Sequence, residues 1–203
     1  MADKIVVMIS STIRDLPQHR GEVERACLQQ EMFPDMMEHL PASHTDAVRV
    51  SIEKVNNADI YLGIFGYRYG YVPNGYTTSI TEMEYDRAFE RGISRIIFIM
   101  DERHLITIGD VDFDNVEKLE CLKTRLLAEN TVNFFTSPDD LRGLVVNSLA
   151  HYRYQRDEEK LKDAERLRQF VNEHPEISEL MKEGVNIVGP DLPANDEDGG
   201  HES

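Results

Sequence analysis

Two kinds of pattern alternate along the chain: short continuous apolar runs, and longer stretches in which apolar positions recur every three or four residues. Ile5–Ser10, Ile60–Phe65 and Arg95–Met100 are of the first kind, with the length and β-branched content of strands buried on both faces. Met32–Met37 is a weaker run interrupted by Pro34, and Val132–Phe135 is a short one. Between them, Pro17–Gln30 predicts a helix burying Val23, Cys27 and Leu28, and Asp46–Asn56 a helix burying Val48, Ile52 and Val55. Ser79–Arg91 predicts a third helix, whose buried stripe is Thr81, Tyr85, Ala88 and Phe89. Asn115–Ala128 and Pro138–Tyr154 complete the set, the last running on into the C-terminal segment. Strands and helices in this alternation read as repeated βα units, an α/β domain over residues 1–154 with a five-stranded, mostly parallel sheet.

Past that point the pattern is different. Leu161, Ala164, Leu167, Arg168 and Val171 keep a helical spacing among alternating charges, which predicts a helical extension over residues 155–188. From Gly189 to Ser203, two prolines, three glycines and the Asp196-Glu197-Asp198 run predict a disordered acidic tail. From Arg156 onward there are 14 acidic and 6 basic residues, so these 48 residues carry half of the total net charge of −16. That charge repels a phosphate backbone and no basic patch overrides it, so nucleic-acid binding is not expected. No apolar run approaches the roughly 20 residues that cross a bilayer, and no charged-then-apolar signal segment opens the chain, so no membrane association is expected. Cys27 and Cys121 stand apart without Cys-x-x-Cys spacing, which argues against disulfide or zinc and for a reducing, cytoplasmic setting.

In an open parallel sheet a ligand sits outside the carboxyl ends of the strands, so the search for chemistry narrows to the loops that follow them. Ser10-Ser11-Thr12 ends the first strand, where hydroxyls and free amides can hold a phosphate or ribose, with Arg14 and Arg20 adding charge. The alternative is a helical turn at Ser11 or Thr12 with Asp15 capping the next helix. Neither a Walker loop nor a G-x-G-x-x-G fingerprint is present. After the third strand, Gly66-Tyr67-Arg68-Tyr69-Gly70 offers stacking faces and close backbone approach for a planar base, or else a loop packed on its own aromatics. Ser79-Ile80-Thr81-Glu82-Met83-Glu84-Tyr85 opens the next helix, with Glu82 and Glu84 on opposite margins of its buried stripe; a helix-start acid is also favoured by the macrodipole alone. The seven histidines (19, 39, 44, 104, 151, 174 and 201) have no ligand spacing and read as surface or capping residues, so no metal is expected. A lone carboxylate beside a ribose can attack or stabilise the oxocarbenium-like centre formed when an N-glycosidic bond breaks.

Val7-Met8-Ile9-Ser10-Ser11-Thr12-Ile13-Arg14-Asp15-Leu16, Met37-Glu38, Ala58-Asp59-Ile60-Tyr61 with Gly66-Tyr67-Arg68-Tyr69-Gly70, and the Ser79–Tyr85 stretch together resemble a TIR-like domain of unknown function commonly fused to NACHT-type and other STAND ATPases. His19 stands before Arg20 where that pattern has an acidic residue, and no fused ATPase is visible. The wider TIR and nucleoside 2-deoxyribosyltransferase folds are similar as well. The resemblance implies a flavodoxin-like, TIR-like sheet with helices on both faces and a catalytic glutamate on the helix after strand three. Glu84, with Ala88 four residues on, fits that position better than Glu82. It further implies that Ser10, Ser11, Thr12 and Arg14 meet phosphate or ribose, that Arg68 and Tyr69 line a base pocket, and that Gly66 and Ser79 contact the ligand. Pro41, after strand two, falls where TIR domains self-associate. The activity so implied is cleavage or cyclisation of NAD or a related nucleotide in defence signalling, with the nucleotide as substrate and no separate cofactor. A homo-oligomer or an effector or ATPase partner is expected with it. A non-catalytic interaction module and a nucleoside 2-deoxyribosyltransferase are the other readings.

Overall fold

The computed structural model describes residues 4–36, 47–105 and 107–174. In chain order these form β1 (Val6–Ser11), α1 (Pro17–Gln29), β2 (Phe33–Asp35), α2 (Ala47–Asn56), β3 (Ile60–Phe65), α3 (Ile80–Glu90) and β4 (Ser94–Met100). Two 3₁₀ turns at Ile108–Asp110 and Phe113–Asn115 follow, then α4 (Val116–Glu129), β5 (Val132–Phe135) and α5 (Pro138–Glu173). All neighbouring strands are parallel, in the order β2-β1-β3-β4-β5, so the sheet is of the doubly wound, flavodoxin-like kind.

Strict alternation along the central strands builds two cores. Val7, Ile9, Ile60, Leu62, Ile64 and Phe98 face α1 and the first turns of α5, meeting Val23, Cys27, Leu141 and Val145. Met8, Tyr61, Phe65, Ile97 and Ile99 face the other way, onto Val55 of α2, Tyr85 and Ala88 of α3 and Leu122 of α4. Both faces of β3 are fully buried, which is why its sequence shows no polar alternation.

Two compact units divide the chain, Met1–Arg153 and Tyr154–Ser203. The first contains the whole sheet. The described part of the second is helix, with Tyr154, Leu161 and Leu167 exposed. Among the described residues no helix is long and apolar enough to cross a membrane.

Several local expectations are corrected. Strand two shrinks to three residues because Pro34, which pairs with Val7, supplies no amide hydrogen; a proline is tolerated there because β2 is an edge strand. Leu28 and Phe89 are exposed, each one helical step too far round from the buried stripe. On α2 the buried positions are Ser51 and Val55, while Val48 and Ile52 are half-buried. Pro41, the Met37-Glu38 pair and the predicted disordered tail lie outside the described residues.

Candidate functional site

At the carboxyl edge of the sheet a cleft of about 800 Å³ opens between the β1–α1 segment, the β3–α3 segment and the start of α4. Ser11, Thr12 and Arg14 form one wall, Arg68 and Tyr71 another, and Asp112, Asn115 and Lys118 a third. Arg20 and Glu84 complete the polar lining. Four cationic side chains thus face a single cavity in a chain whose net charge is −16.

Glu84 sits on the second turn of α3. The helix starts at Ser79, whose backbone is extended and whose hydroxyl accepts from the Glu82 amide at 3.2 Å, a standard cap that fixes the phase of the helix. That phase turns Glu84 towards the sheet, where it is 4% exposed. The Ser10 hydroxyl on β1 donates to its Oε2, and the Ser51 hydroxyl on α2 donates to its Oε1. Burial raises the Glu84 pKa above its ordinary value; the two serine hydroxyls and the charges of Arg20 and Lys54 oppose that rise without cancelling it. The result is a carboxyl held in one orientation on the cleft wall, costly to ionise because burial outweighs its two hydroxyl donors and the Arg20 and Lys54 charges.

Glu82 has a different setting. The Tyr69 hydroxyl donates to it, Arg125 lies 3.3 Å away, and it does not line the cleft. Tyr69 is buried with its hydroxyl engaged in this contact, and burial together with the Glu82 carboxylate pushes its pKa up to about 12. Tyr69 therefore packs beneath the loop and is not part of the cleft lining. Ser79 is committed to capping, and Ser10 reaches the cleft only through Glu84.

Asp15 caps no helix. The residue at the start of α1 is Leu16, without a side-chain cap, and Pro17 supplies the first turn. Asp15 instead accepts from the Thr12 hydroxyl at 2.5 Å and from the Tyr67 amide at 3.3 Å, tying the first cleft wall to the second. A Cβ at Gly66 would lie 2.6 Å from Asp15 Oδ2, so Gly66 serves this tie, and it lies outside the cleft lining. Arg20 is buried and donates to the Ser11 carbonyl at 3.3 Å and the Ser11 hydroxyl at 2.5 Å, which places guanidinium charge behind the first wall.

The structure therefore places Ser11, Thr12, Arg14, Arg68 and Glu84 around one cavity and sets Ser10, Gly66, Tyr69, Ser79 and Glu82 outside its lining. Three contributors escaped the sequence reading: Ser51, and the Asn115–Lys118 pair at the head of α4. Ser51 carries no motif; its one signal is a small polar residue on the apolar stripe of α2. Among the described residues, no group of three or more His, Cys, Asp or Glu side chains could hold a metal ion. His19 is a further correction, since it is buried at 4% exposure and neither caps nor faces solvent.

Residues 6–150 match the model of a protein family described as a domain of unknown function, DUF4062. No curated protein matches the chain. Among solved structures, the TIR domains of the activated Roq1 resistosome directly recognizing the pathogen effector XopQ are 12% identical, with a TM-score of 0.41 over 72% of this chain and 84% of that one. The CMP N-glycosidase BcmB of Clostridium botulinum is 10% identical, with a TM-score of 0.38 over 68% of this chain and 97% of that one. A 2-deoxyribosyltransferase from Leishmania mexicana is 13% identical, with a TM-score of 0.41 over 71% of this chain and 98% of that one.

Proposed function

The chain belongs to the DUF4062 family, and from that premise we propose that it is a nucleotide N-glycosidase acting on NAD or a related nucleotide, with Glu84 as the catalytic carboxylate. The observation that carries this reading is the setting of Glu84: a buried carboxyl, oriented by two hydroxyl donors, on the wall of a cleft lined by four cations. A lone carboxylate in such a place is destabilised in the free protein by lost hydration. When the bond from ribose C1′ to a pyridinium nitrogen breaks, its electron pair leaves with the base and positive charge develops on the ribosyl centre. The carboxylate then faces a positive charge on the reacting centre that is weaker in the ground state, which is the differential stabilisation that accelerates a reaction. The base departs neutral, so no general acid is needed. Water then adds to C1′ and its proton passes to solvent, or a ribosyl or base nucleophile of the same molecule closes a ring. Arg14, Arg20, Arg68 and Lys118 complement the phosphates of such a substrate.

The second reading, a nucleotide-binding or protein-interaction module without turnover, draws on the same contact. Both Glu84 oxygens accept from serines on other elements, so the carboxyl also joins β1, α2 and α3. The experiment that separates the two is mass-resolved loss of NAD, NADP and CMP by the purified protein at high concentration, beside Glu84→Gln and Glu82→Gln. Base release that disappears in the folded Glu84 variant and persists in the Glu82 variant supports the glycosidase. Nucleotide binding without any base release by the wild type transfers the assignment to the module.

A further inference from the structure

Tyr61 lies on β3 with its side chain fully buried, and its hydroxyl has no hydrogen-bond partner of good geometry. A buried hydroxyl without a partner is costly, so its persistence beside the site invites a functional reading. The direction of the side chain is set by a glycine. Gly63, two residues along the same face, would place a Cβ 2.9 Å from Tyr61 Cε1 and 2.7 Å from Phe65 Cε2. Only a glycine there lets the Tyr61 ring lean along β3 towards its carboxyl end. In the β1–β3 register Gly63 pairs with Ser10, so the ring carries its hydroxyl up to the serine that donates to Glu84. The ring also meets Tyr85, the residue after Glu84, at 6.0 Å between centroids. Burial and the Glu84 charge together raise the Tyr61 pKa well above its ordinary value, and Ser10 is the neighbour that favours the phenolate.

We propose that Tyr61 is a positioning residue: its hydroxyl is the reserve donor to Ser10 Oγ, closing a Tyr61–Ser10–Glu84 chain when the Glu84 carboxylate is ionised. Ser10 commits its one hydrogen to Glu84 and keeps oxygen lone pairs free to accept. An ionised Glu84 draws on that hydrogen, makes Ser10 Oγ the better acceptor, and so favours the second bond; bonds in such a chain strengthen one another. The other groups facing Glu84 are Ser51 and Lys54 from α2 and Arg20 from α1; Asp86 of α3 adds a further charge near Tyr61. Lys54 is held by Asp35 of β2, which leaves Tyr61 as the uncommitted donor beside the Ser10 side of the carboxyl.

This inference rests on the site assigned to Glu84, and its test is read without turnover. The Glu84 carboxyl is titrated by ¹³C NMR with labelled glutamate, assigned by loss of the signal in Glu84→Gln. It is compared in the wild type, Tyr61→Phe, and protein with 3-fluorotyrosine at position 61, whose more acidic hydroxyl is the stronger donor. We expect Tyr61→Phe to move the Glu84 midpoint upward by about half a pH unit or more, and 3-fluorotyrosine to move it downward. Below the Glu84 midpoint, where the Tyr61 hydroxyl is unpaired, the thermal midpoint of Tyr61→Phe is expected at or above that of the wild type. Equal Glu84 midpoints in all three proteins overturn the proposal, whatever the thermal data. If Tyr61→Phe does not fold, the fluorotyrosine protein, which keeps the shape of the ring, decides alone. An enzyme without activity but with the opposed shifts retains the chain and loses only the glycosidase reading.

Discussion

Ser51 on α2 donates its hydroxyl hydrogen to Glu84 on α3, a buried contact across 33 residues of chain. Removing the hydroxyl leaves one carboxylate oxygen buried without that donor, and the helix pair loses a polar tie. Ser51→Ala is therefore expected to lower stability by about 1–3 kcal/mol and to raise the Glu84 pKa further. Urea unfolding of both proteins checks the first, and the Glu84 titration checks the second. Unchanged stability would mean that the contact is not maintained in solution.

Glu84 itself gives a prediction of opposite sign. Its pKa in the folded chain is raised by burial, so its stabilising contribution is greatest at acid pH and is lost as pH rises through the folded value. Glu84→Gln keeps the shape and removes the charge. The variant should melt higher than wild type at pH 7 and converge with it as the pH is lowered towards the ordinary carboxylate range. Differential scanning calorimetry across that range reads the gap; a gap that widens on acidification would show that Glu84 is stabilised as the carboxylate.

The alternation of apolar runs and amphipathic stretches was enough to read the sheet, because β1, β3 and β4 are buried on both faces and leave no ambiguity of period. Periodicity alone left Glu82 and Glu84 on opposite margins of the helix stripe, and the resemblance preferred Glu84, with Ala88 four residues on; in the structure the Ser79 cap sets the phase of α3 that turns Glu84 inward. Tyr69 and Asp15 were misread because their roles depend on what another segment places opposite them. An aromatic in a glycine-rich loop looks the same whether it stacks on a ligand or, as here, reaches a glutamate 13 residues away. Ser51 was invisible for the same cause, since a serine on a helix stripe acquires meaning only when α3 packs against it.

Gly66 is packed against Asp15 so closely that an added methyl group would lie 2.6 Å from Oδ2. Gly66→Ala should push Asp15 off the Tyr67 amide, separating the β1–α1 and β3–α3 walls of the cleft, with a stability loss of about 1–3 kcal/mol typical of overpacking. Nucleotide affinity should fall with it, measured by calorimetric titration. Full affinity in a destabilised variant would show that the two walls act independently.

The cationic lining makes a separable claim about binding. Arg14 and Arg68 stand on opposite walls, so Arg14→Ala and Arg68→Ala should each weaken a phosphorylated ligand while leaving the fold intact. Each is expected to cost about tenfold in Kd for ADP-ribose, with a smaller dependence on salt than wild type. Binding of ADP-ribose that is insensitive to both changes would move the phosphate site out of this cleft.

His19 on α1 is buried against His104 at 5.1 Å and Phe135 at 5.2 Å between ring centroids, and its Nε2 has no hydrogen-bond partner. Burial, aided by the neighbouring His104, lowers its pKa from 6.5 to about 4. Protonation therefore favours the unfolded chain: the stability that depends on neutral His19 is complete above pH 6.5 and is lost as pH falls through about 4. The loss amounts to about 3 kcal/mol at most, since each pKa unit is worth about 1.4 kcal/mol. The raised carboxyls, Glu84 and Asp15, act in the opposite direction over acid pH, so the wild-type profile alone mixes the two effects. His19→Phe fills the same space without a titrating group and isolates the histidine. The difference in unfolding free energy between variant and wild type should be constant above pH 6.5 and should shift in favour of the variant between pH 6.5 and 4. A difference that stays flat across that interval would mean that His19 is free to protonate in the folded protein, and that the packing of α1 on β5 opens readily enough to hydrate it.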